Sequence, residues 1–421
     1  MKSSNSLDAK ARQILRRNDR GRYTVPTADL YPHQWNWDSA FAALGLATFD
    51  LDRAWTEFET LFGGQWPNGM VPHILFHQRD TDYFPGPDVW GTPGTVPSSG
   101  ISQPPVAATI ARRIWERDPA GYGGRMRALF PKLAAWHRWF MEWRLEDSAV
   151  CVTHPWEAGR DNAPDWDDAL ARINPYDVNG YVRHDTKCVD PEMRPTKLDY
   201  DRYIWLVNRG REVNWEENER KRKSDFRIAD PTMTFILLRA NRDLAEIGRR
   251  LGEDVSMLEK WTHTLEIGAE TLWNPNLFSY DSKDANSGEW SNCVSNASFL
   301  CWYAGIHREE MRRHFDRVTR SVAFGIPSHD PESEKFDPRR YWRGPVWPVI
   351  NTLAGIGMAE AGLESEASAV REFTSELITR NGFYEYFNPC DGSPAGGGDF
   401  TWTAAIWIDW ASPSAGDEKW A

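Results

Sequence analysis

The stretch DPTMTFILLRANRDLAEIGRRLG, residues 230–252, has the pattern of one long amphipathic helix. Its apolar residues recur three or four positions apart and so share one helical face: Met233, Ile236, Ala240, Leu244, Ile247 and Leu251. Asp230 and Pro231 suit the cap and first position of that helix, and Gly252 suits its end. The sequence therefore predicts a helix over 228–251.

The same periodicity recurs along the chain, whereas strand signals are sparse. It predicts twelve helices, near residues 6–18, 37–48, 50–63, 103–117, 124–145, 228–251, 254–273, 291–304, 307–321, 344–362, 365–380 and 400–412. Pro131 is expected to kink or restart the fifth of them. The predicted fold class is therefore all-α.

Two kinds of helix alternate along the chain. Some are apolar or small on most faces, as buried helices are, whereas others carry a charged face. Six of the buried kind begin just after a polar-aromatic loop: WNWD (35–38), QPP (103–105), DPT (230–232), SNA (295–297), GPVW (344–347) and DFTW (399–402). We therefore expect an inner ring of six helices inside an outer ring of six, a double helical barrel whose loops surround one mouth.

Three long stretches are poor in signals for regular structure, about 64–102, 146–227 and 322–343. Loops of this length inside a compact domain are usually functional or disordered. These are rich in Trp, Tyr, Pro and Gly, unlike disordered segments, so we expect ordered lids over the mouth. Residues 1–412 are expected to form a single catalytic domain, and 413–421 a tail.

Composition argues against several classes of protein. A mean hydropathy of −0.62 with no long apolar run argues against a membrane span, and residues 1–17 lack the apolar core of a signal peptide. The five Cys are odd in number and scattered, which favours a reduced cytoplasmic protein. A formal net charge of −12 disfavours nucleic acid as a partner, but it leaves room for a small anionic substrate held by locally placed Arg. The sequence does not determine the oligomeric state, and a homo-oligomer is compatible with it.

Two segments far apart in the chain pair a carboxylate with aromatic and glycine neighbours: WEAGRDN (156–162) and FYEYFNP (383–389). Two carboxyl groups on opposite sides of an aromatic-lined cavity are the minimum equipment for cutting a glycosidic bond. The chain also holds 23 Trp, against 9 Met and 10 His, and indole faces bury the flat C–H faces of sugars. The residues themselves therefore indicate a sugar-cleaving enzyme.

The chain resembles glycoside hydrolase family 63, in the bacterial branch of mannosylglycerate and glucosylglycerate hydrolases. Five segments, spread over almost the whole chain, carry the resemblance in the family's order: QWNWDS (34–39), GISQPP (100–105), HPWEAGRDN (154–162), YWRGPVW (341–347) and YEYFNP (384–389). The resemblance implies an (α/α)6 barrel, an inverting mechanism and a sugar-glycerate substrate. One departure is Ala158, where serine is expected; it removes one hydrogen bond and leaves the assignment standing.

The resemblance assigns the general acid to Asp161 and the general base to Glu385. An acid must keep its proton near neutral pH, which burial among tryptophans favours. The residues alone leave alternatives open. Asp161 would instead cap a short helix over 165–173, with Glu157 or Asp165 as the competing acids, and Glu385 would be a solvated loop residue.

Several aromatic and polar residues are candidates for the pocket. Trp35, Trp37 and Asp38 are expected to line the sugar subsite, where one carboxylate accepts hydrogen bonds from two adjacent hydroxyls. The alternative for Asp38 is a cap on the following helix. Further candidates are Tyr31, Tyr83, Gln103, Trp156, Gly159, Tyr341, Trp342, Trp347 and Trp402; the last four fit a place in the core equally well.

A glycerate leaving group would bring a carboxylate, whose recognition needs cations or phenols. Arg194, Tyr200 and Arg202 lie in the predicted lid over 146–227, and a guanidinium grips a carboxylate in bidentate fashion. We therefore expect these three residues to recognise the glycerate. Their alternative is a place as ordinary surface residues.

The preferred function is hydrolysis of mannosylglycerate or glucosylglycerate to hexose and glycerate, without a cofactor. An α-glucosidase acting on neutral oligosaccharides would use the same two carboxylates. A non-catalytic sugar-binding protein would lack the acid or the base, and an isomerase would want clustered His. His73 and His77 have the spacing of a helical metal pair but no third ligand motif, so no metal site is expected.

Overall fold

The computed structural model describes residues 2–80, 82–178, 180–416 and 419–420. This part of the chain is mainly helical. Its sixteen α-helices are α1 (Lys2–Asn18), α2 (Asn36–Leu46), α3 (Leu51–Leu61), α4 (Pro87–Trp90), α5 (Ala107–Trp115), α6 (Pro119–Trp143), α7 (Asp167–Ala171), α8 (Asp185–Cys188), α9 (Lys197–Glu212), α10 (Glu217–Lys223), α11 (Pro231–Leu251), α12 (Ser256–Thr271), α13 (Glu309–Arg320), α14 (Pro348–Glu360), α15 (Glu364–Asn381) and α16 (Thr401–Ile406). A π-helical turn, Trp407–Ala411, follows α16, and 3-10 turns lie at Phe62–Gly64, Pro155–Ala158, Pro164–Trp166, Pro191–Met193 and Ser298–Cys301.

Short strands join the loops between these helices. They are β1 (Gln34–Trp35), β2 (Ile74–Leu75), β3 (Leu145–Glu146), β4 (Ala149–Val152), β5 (Ile228–Ala229), β6 (Trp273–Asn274), β7 (Ser279–Tyr280), β8 (Lys283–Asp284), β9 (Tyr386–Phe387) and β10 (Pro394–Ala395). All pairs are antiparallel: β1 with β2, β6 with β7, β9 with β10, and β3–β4–β5–β8 in one sheet. In that sheet Cys151 lies opposite Ala229, which brings β4 to the beginning of α11.

Five helices and one 3-10 turn form a closed ring. α2 contacts α5, α5 contacts α11, and α11 contacts the Ser298–Cys301 turn; this turn contacts α14, α14 contacts α16, and α16 contacts α2. Every residue of α2 is buried, as is every residue of α14 except the last. These six elements lie in the segments whose sequences predict burial.

Six further helices pack around this ring. α3 lies on α2, α6 on α5 and α11, α12 on α11, α13 on the Ser298–Cys301 turn, α15 on α14, and α1 on α16 and α2. α13 shows why they are peripheral, because it buries only Met311, Phe315 and Val318, a single stripe at helical spacing.

α11 begins and ends close to its predicted limits. Asp230 Oδ2 accepts a hydrogen bond from Met233 N (3.1 Å), and Gly252 ends the helix in the left-handed conformation (φ 77°). Asp230 N also donates to Val150 O (2.9 Å), so the cap of α11 is tied to β4.

The predicted helix over 291–304 is wrong. Only Ser298–Cys301 forms a 3-10 turn, and Asn292 has a left-handed backbone (φ 54°). The Ser298 hydroxyl donates to Tyr280 O (2.6 Å) and accepts from Ser295 N (3.3 Å). Hydroxyl side chains compete in this way with helical backbone hydrogen bonds, which shortens the element.

The segment 146–227 is more regular than the sequence analysis predicts. It contains α9, 16 residues long, and α10. α9 begins with a capping box, in which Thr196 Oγ1 accepts from Asp199 N (3.2 Å) and Asp199 Oδ2 accepts from Thr196 N (3.0 Å). This cap is legible in the sequence as an acid three residues after a Thr, but it stands among loop-forming residues that obscure it.

Three smaller features complete the fold. α6 continues through Pro131, which therefore does not restart the helix. In the segment predicted as a tail, Trp420 is buried and its backbone N–H donates to Glu360 Oε1 (3.1 Å). None of the helices in the described ranges is long and apolar enough to cross a bilayer.

Candidate active site

A pocket opens among the loops that precede the inner ring. Its empty space, open mouth included, is about 770 Å³. Fifteen residues predicted from the sequence line it: Tyr31, Trp35, Trp37, Asp38, Tyr83, Gln103, Trp156, Gly159, Asp161, Arg194, Tyr200, Tyr341, Trp347, Glu385 and Trp402. Folding thus brings Asp161 and Glu385, far apart in the chain, to one cavity.

The loop that carries Asp161 is shaped by a glycine. Gly159 has φ 67°, and a Cβ at this position would lie 2.7 Å from Trp37 Cζ2. Only glycine accepts both the left-handed backbone and the close approach to this indole ring. Tyr203 OH then donates to Asp161 O (2.8 Å), which fixes the backbone of the carboxylate itself.

Arg160, next to Asp161, anchors the same loop to the inner ring. Its guanidinium is fully buried and donates from Nη2 to Asp165 Oδ1 (3.0 Å) and Asp230 Oδ1 (2.9 Å). Because Asp230 also caps α11, the loop is tied directly to the beginning of an inner helix.

The environment of Asp161 favours its protonated form. Burial raises its pKa to about 7; the Arg194 charge opposes this shift and the Glu385 charge adds to it. Among the described residues, no side chain donates a hydrogen bond to the Asp161 carboxyl group, which would otherwise stabilise the anion. The alternative role as a helix cap is absent, because Ala163 and Trp166 occupy the caps of the following turn and helix.

The two competing carboxylates are structural. Burial opposes ionisation of Glu157, but Arg144, Arg220 and donors from Thr153 outweigh it and lower its pKa to about 2. Asp165 is likewise buried, yet its pKa is lowered by the Arg160 guanidinium. Neither group lines the pocket, so neither competes with Asp161 as an acid.

Glu385 is buried, which excludes the solvated-loop alternative. Its Oε1 accepts hydrogen bonds from Tyr31 OH (3.0 Å) and Tyr341 OH (3.2 Å), and its Oε2 accepts from Gly397 N (3.1 Å). Burial raises its pKa, against the opposing effects of Arg194 and these donors. Four polar groups thus stabilise the carboxylate despite its burial.

The strand pair β9–β10 brings Gly396 and Gly397 back over Glu385. Gly396 has φ 72°, and a Cβ on it would lie 2.3 Å from Glu385 Oε2. The glycine-rich stretch after the Tyr-Glu-Tyr motif therefore lets backbone pack directly against the carboxylate.

Asp38 lies in the first turn of α2 but does not cap it, because Trp35 is the cap residue and makes no side-chain bond there. Burial, and secondarily the Glu385 charge, raise the pKa of Asp38 well above its usual range. Gln103 Oε1 accepts a hydrogen bond from Trp37 N (3.2 Å), which places Gln103 beside Asp38 on the same wall.

Arg194 lies close to Glu385, the predicted base. The buried guanidinium donates from Nε to Asp185 Oδ2 (3.0 Å) and from Nη2 to Tyr31 OH (2.9 Å). Its Nη1 lies 3.7 Å from Glu385 Oε2 and makes no hydrogen bond. This nitrogen is buried and is the donor of Arg194 that has no hydrogen-bond partner among the described residues.

Two candidates lie outside the pocket lining. Arg202 is half-buried and donates from Nε to Ile173 O (3.3 Å), and its predicted contact with glycerate stays a prediction. Trp342 stacks on Trp347 at 3.8 Å between ring centroids, behind the residue that does line the pocket. For Trp342 the core alternative holds. Tyr200 reaches the pocket, but its hydroxyl donates to Phe84 O (3.2 Å).

The sequence analysis misses several pocket residues: Pro26, Leu30, His73, Ile74, Phe84, Pro85, His184, Asp185 and Phe400. The lid residues among them stand in no recognisable motif and reach the pocket only through the folding of the lids.

His73 stacks on Trp156, whereas His77 contacts Gln34 (2.6 Å). In the described ranges, no group of three or more His, Cys, Asp or Glu could hold a metal ion.

Comparison with known proteins agrees with this geometry. Residues 31–403 match the mannosylglycerate hydrolase MGH1-like glycoside hydrolase domain. A mannosylglycerate hydrolase of Thermus thermophilus is 42% identical over 412 residues, which cover 95% of this chain and 99% of that one. The glucosylglycerate hydrolase of Mycolicibacterium hassiacum is 34% identical over 434 residues, covering 96% and 97%.

A solved structure extends the likeness to three dimensions. The crystal structure of a GH63 mannosylglycerate hydrolase from Thermus thermophilus, in complex with Tris and D-glycerate, matches with a TM-score of 0.92 at 42% identity. The match covers 95% of this chain and 98% of that one. As its five motifs predict, the chain belongs to the mannosylglycerate hydrolase MGH1-like glycoside hydrolases of family 63.

Proposed function

We propose that this protein hydrolyses the glycosidic bond of mannosylglycerate, glucosylglycerate or both, releasing hexose and glycerate with inversion at the anomeric carbon. The observation that carries the proposal is the contrast between two carboxyl groups in one pocket. Asp161 has a pKa near 7 and no side-chain donor among the described residues, whereas Glu385 accepts three hydrogen bonds. Environments that separate two carboxyl groups in this way assign an acid and a base.

Asp161 is the general acid in this proposal. Its proton goes to the oxygen that leaves with glycerate as the bond to the anomeric carbon breaks. Glu385 is the general base, and it takes a proton from a water that attacks the opposite face of the sugar. Inverting enzymes hold such a pair roughly 6.5–9.5 Å apart to make room for this water.

The remaining pocket residues divide between the two halves of the substrate. Asp38 and Gln103 offer hydrogen-bonding groups on the wall formed by Trp35 and Trp37, which suits the hexose. Arg194, Tyr31, Tyr83 and Tyr200 line the same pocket, and the Nη1 of Arg194, which has no hydrogen-bond partner among the described residues, suits the glycerate carboxylate. The relatives named mannosylglycerate and glucosylglycerate hydrolases, and the bound D-glycerate in a relative's crystal structure, support this division.

The fold belongs to the same proposal. The closed ring of six elements, with six helices around it, supports an (α/α)6 barrel that forms one catalytic domain over 1–412, with lids at 64–102, 146–227 and 322–343. All five cysteines are free, which supports a reducing, cytoplasmic setting.

The test is an activity panel on the purified protein. Mannosylglycerate, glucosylglycerate and neutral α-linked disaccharides are each incubated with it, and hexose and glycerate are quantified. Proton NMR of the first minutes identifies the anomer released, and inversion requires the anomer opposite to that of the substrate. Cleavage of the neutral disaccharides in preference to both glycerate conjugates would establish the α-glucosidase alternative, and release of the same anomer would refute inversion.

A further inference from the structure

We infer that Asp185, a lid carboxylate, is a positioning residue that holds Arg194 off the base Glu385. The inference rests on the proposed function, because it assumes that Glu385 must stay free to activate water. Asp185 begins α8 and lines the pocket, yet it stands in none of the motifs that identify the family. Its contacts carry the argument.

Asp185 is fixed independently of Arg194. Arg183 donates to it twice, from Nε to Oδ1 (3.0 Å) and from Nη2 to Oδ2 (2.6 Å). Arg183 is itself held, because its Nη1 donates to Pro195 O (2.6 Å) and its guanidinium lies 4.4 Å from the centre of the Tyr200 ring. A bidentate arginine of this kind fixes the orientation of a carboxylate. Asp185 therefore presents Oδ2 to Arg194 from a rigid support.

That contact decides where the Arg194 guanidinium points. Nε is taken by Asp185 Oδ2 (3.0 Å) and Nη2 by Tyr31 OH (2.9 Å), while the Tyr341 ring packs against the guanidinium at 4.0 Å. The plane of the group is thereby fixed, and Nη1 stops 3.7 Å from Glu385 Oε2, short of a hydrogen bond. Glu385 Oε2 keeps a lone pair for water, since Gly397 N is the one hydrogen-bond donor it has among the described residues.

Removal of Asp185 frees Nε and leaves Glu385 as the nearest carboxylate to the buried guanidinium. Arg194 then moves closer to Glu385, because a buried cation that has lost its anion is destabilising and Glu385 is the carboxylate left to pair with it. A hydrogen bond from Arg194 Nη1, in place of the present 3.7 Å ion pair, occupies the lone pair that binds water and weakens the base. Loss of Asp185 therefore lowers kcat, because Arg194 then occupies the oxygen of Glu385 that binds water. Additional removal of Arg194 restores part of the lost kcat.

The experiment is a double-mutant cycle on the full chain with a substrate that has no glycerate. Asp185→Ala, Arg194→Ala and the double variant are assayed with the glycosyl fluoride of the hexose that the enzyme releases, since fluoride departs without a glycerate contact. We expect Asp185→Ala to lower kcat about tenfold or more, and the double variant to return to within about threefold of Arg194→Ala. Asp190→Asn is the matched control, because Asp190 is an exposed carboxylate of the same lid, paired with Arg339 (3.3 Å), and its loss leaves kcat unchanged.

Two results would overturn the inference. Asp185→Ala with undiminished kcat would do so, as would a double variant as slow as Asp185→Ala, since a purely structural role persists without Arg194. If the Asp185→Ala variant does not fold, Asp185→Asn takes its place in the same double-mutant cycle, because asparagine keeps the shape of the side chain and removes its charge.

A crystal structure of the Asp185 variant separates this inference from the proposed function. We expect the distance from Arg194 Nη1 to Glu385 Oε2 to contract from 3.7 Å to hydrogen-bond length. An unmoved guanidinium refutes the inference even if the enzyme proves inactive on every glycoside. Absence of hydrolysis by the wild type, with the guanidinium moved in the variant, refutes the proposed function alone.

Discussion

Replacement of Asp161 by asparagine is expected to abolish efficient catalysis and, near neutral pH, to stabilise the fold. The Asp161 pKa is about 7 in the folded protein, against an ordinary value of 3.8, so the folded chain binds one more proton than the unfolded chain between those values. The free energy of unfolding therefore falls as the pH rises from 3.8 to about 7, because Asp161 must ionise in the folded protein, and the loss is complete above about 7. Asparagine stays neutral at every pH, so the variant does not lose this stability.

The magnitude follows from the size of the shift. About three pKa units at 1.36 kcal/mol each give roughly 4 kcal/mol as the upper limit. Asp161 is half-buried at the pocket wall, and solvent screening reduces the figure to about 1–2 kcal/mol. At pH 8 the Asp161→Asn variant is thus expected to melt about 1–2 °C above the wild type, because the unfolding entropy of a chain of this length gives about 1 °C per kcal/mol, with the difference shrinking towards pH 4.

The assay pairs thermal unfolding between pH 4 and 8 with hexose release. Turnover of the glycerate conjugate is expected to fall about 10²–10⁴-fold, the usual contribution of a general acid. Asp168→Asn, an exposed carboxylate on α7, is the control and leaves both readings unchanged. A melting difference that is the same at every pH would refute the reasoning about the proton, and unchanged turnover would remove Asp161 from the mechanism.

Three further substitutions test the rest of the site. Glu385→Gln is expected to lower turnover about 10²–10⁴-fold and to stay slow with a glycosyl fluoride, whereas Asp161→Asn recovers on that substrate; equal recovery in kinetic assays would contradict the assignment of base and acid. Arg194→Ala is expected to raise KM about tenfold or more for a glycerate conjugate and much less for a neutral aryl glycoside, and equal shifts would exclude carboxylate recognition. Gly396→Ala is expected to lower kcat and the melting temperature together, because its Cβ would lie 2.3 Å from Glu385 Oε2 at φ 72°, while Gly398→Ala, with nothing closer than 3.4 Å, changes both far less. Normal kcat in Gly396→Ala would show that backbone contact with Glu385 is dispensable.

Much of this site is predictable because its main residues stand in local patterns. Asp161 and Glu385 each lie in a short motif whose glycines and aromatic residues have a physical purpose, such as the approach of Gly159 to Trp37. The inner helices are equally legible, since burial on most faces leaves mostly apolar or small residues there. α11 shows this best, because its cap, stop and periodicity agree.

What the sequence conceals is chemistry that depends on long-range contacts. Asp185 acquires its role only when α8 folds over the mouth and meets Arg194, nine residues further along the chain. The prediction of a helix over 291–304 is wrong for the same reason, because the Ser298 hydroxyl donates to Tyr280 O, 18 residues earlier in the chain. Arg202 is the opposite case. Its position in a lid predicts a ligand-binding residue, whereas in the fold its Nε donates to the Ile173 carbonyl.

The charge balance of the pocket explains how a chain with a formal net charge of −12 would accept the proposed anionic substrate. Among the described lining residues four carboxyl groups, Asp38, Asp161, Asp185 and Glu385, face one guanidinium, that of Arg194. Burial raises the pKa of both Asp38 and Asp161, so neither is an obligatory anion near neutrality, while Arg183 and Arg194 overcome burial and keep the pKa of Asp185 at about 2. Asp185 pairs with Arg194, and Glu385, 3.7 Å from Arg194 Nη1, is the remaining anion among these lining groups. Such a pocket holds a proton on Asp161 to give and a carboxylate on Glu385 to receive another. It repels a glycerate far less than four anions would, because two of its carboxyl groups favour the protonated form and the Arg194 guanidinium lies beside the other two.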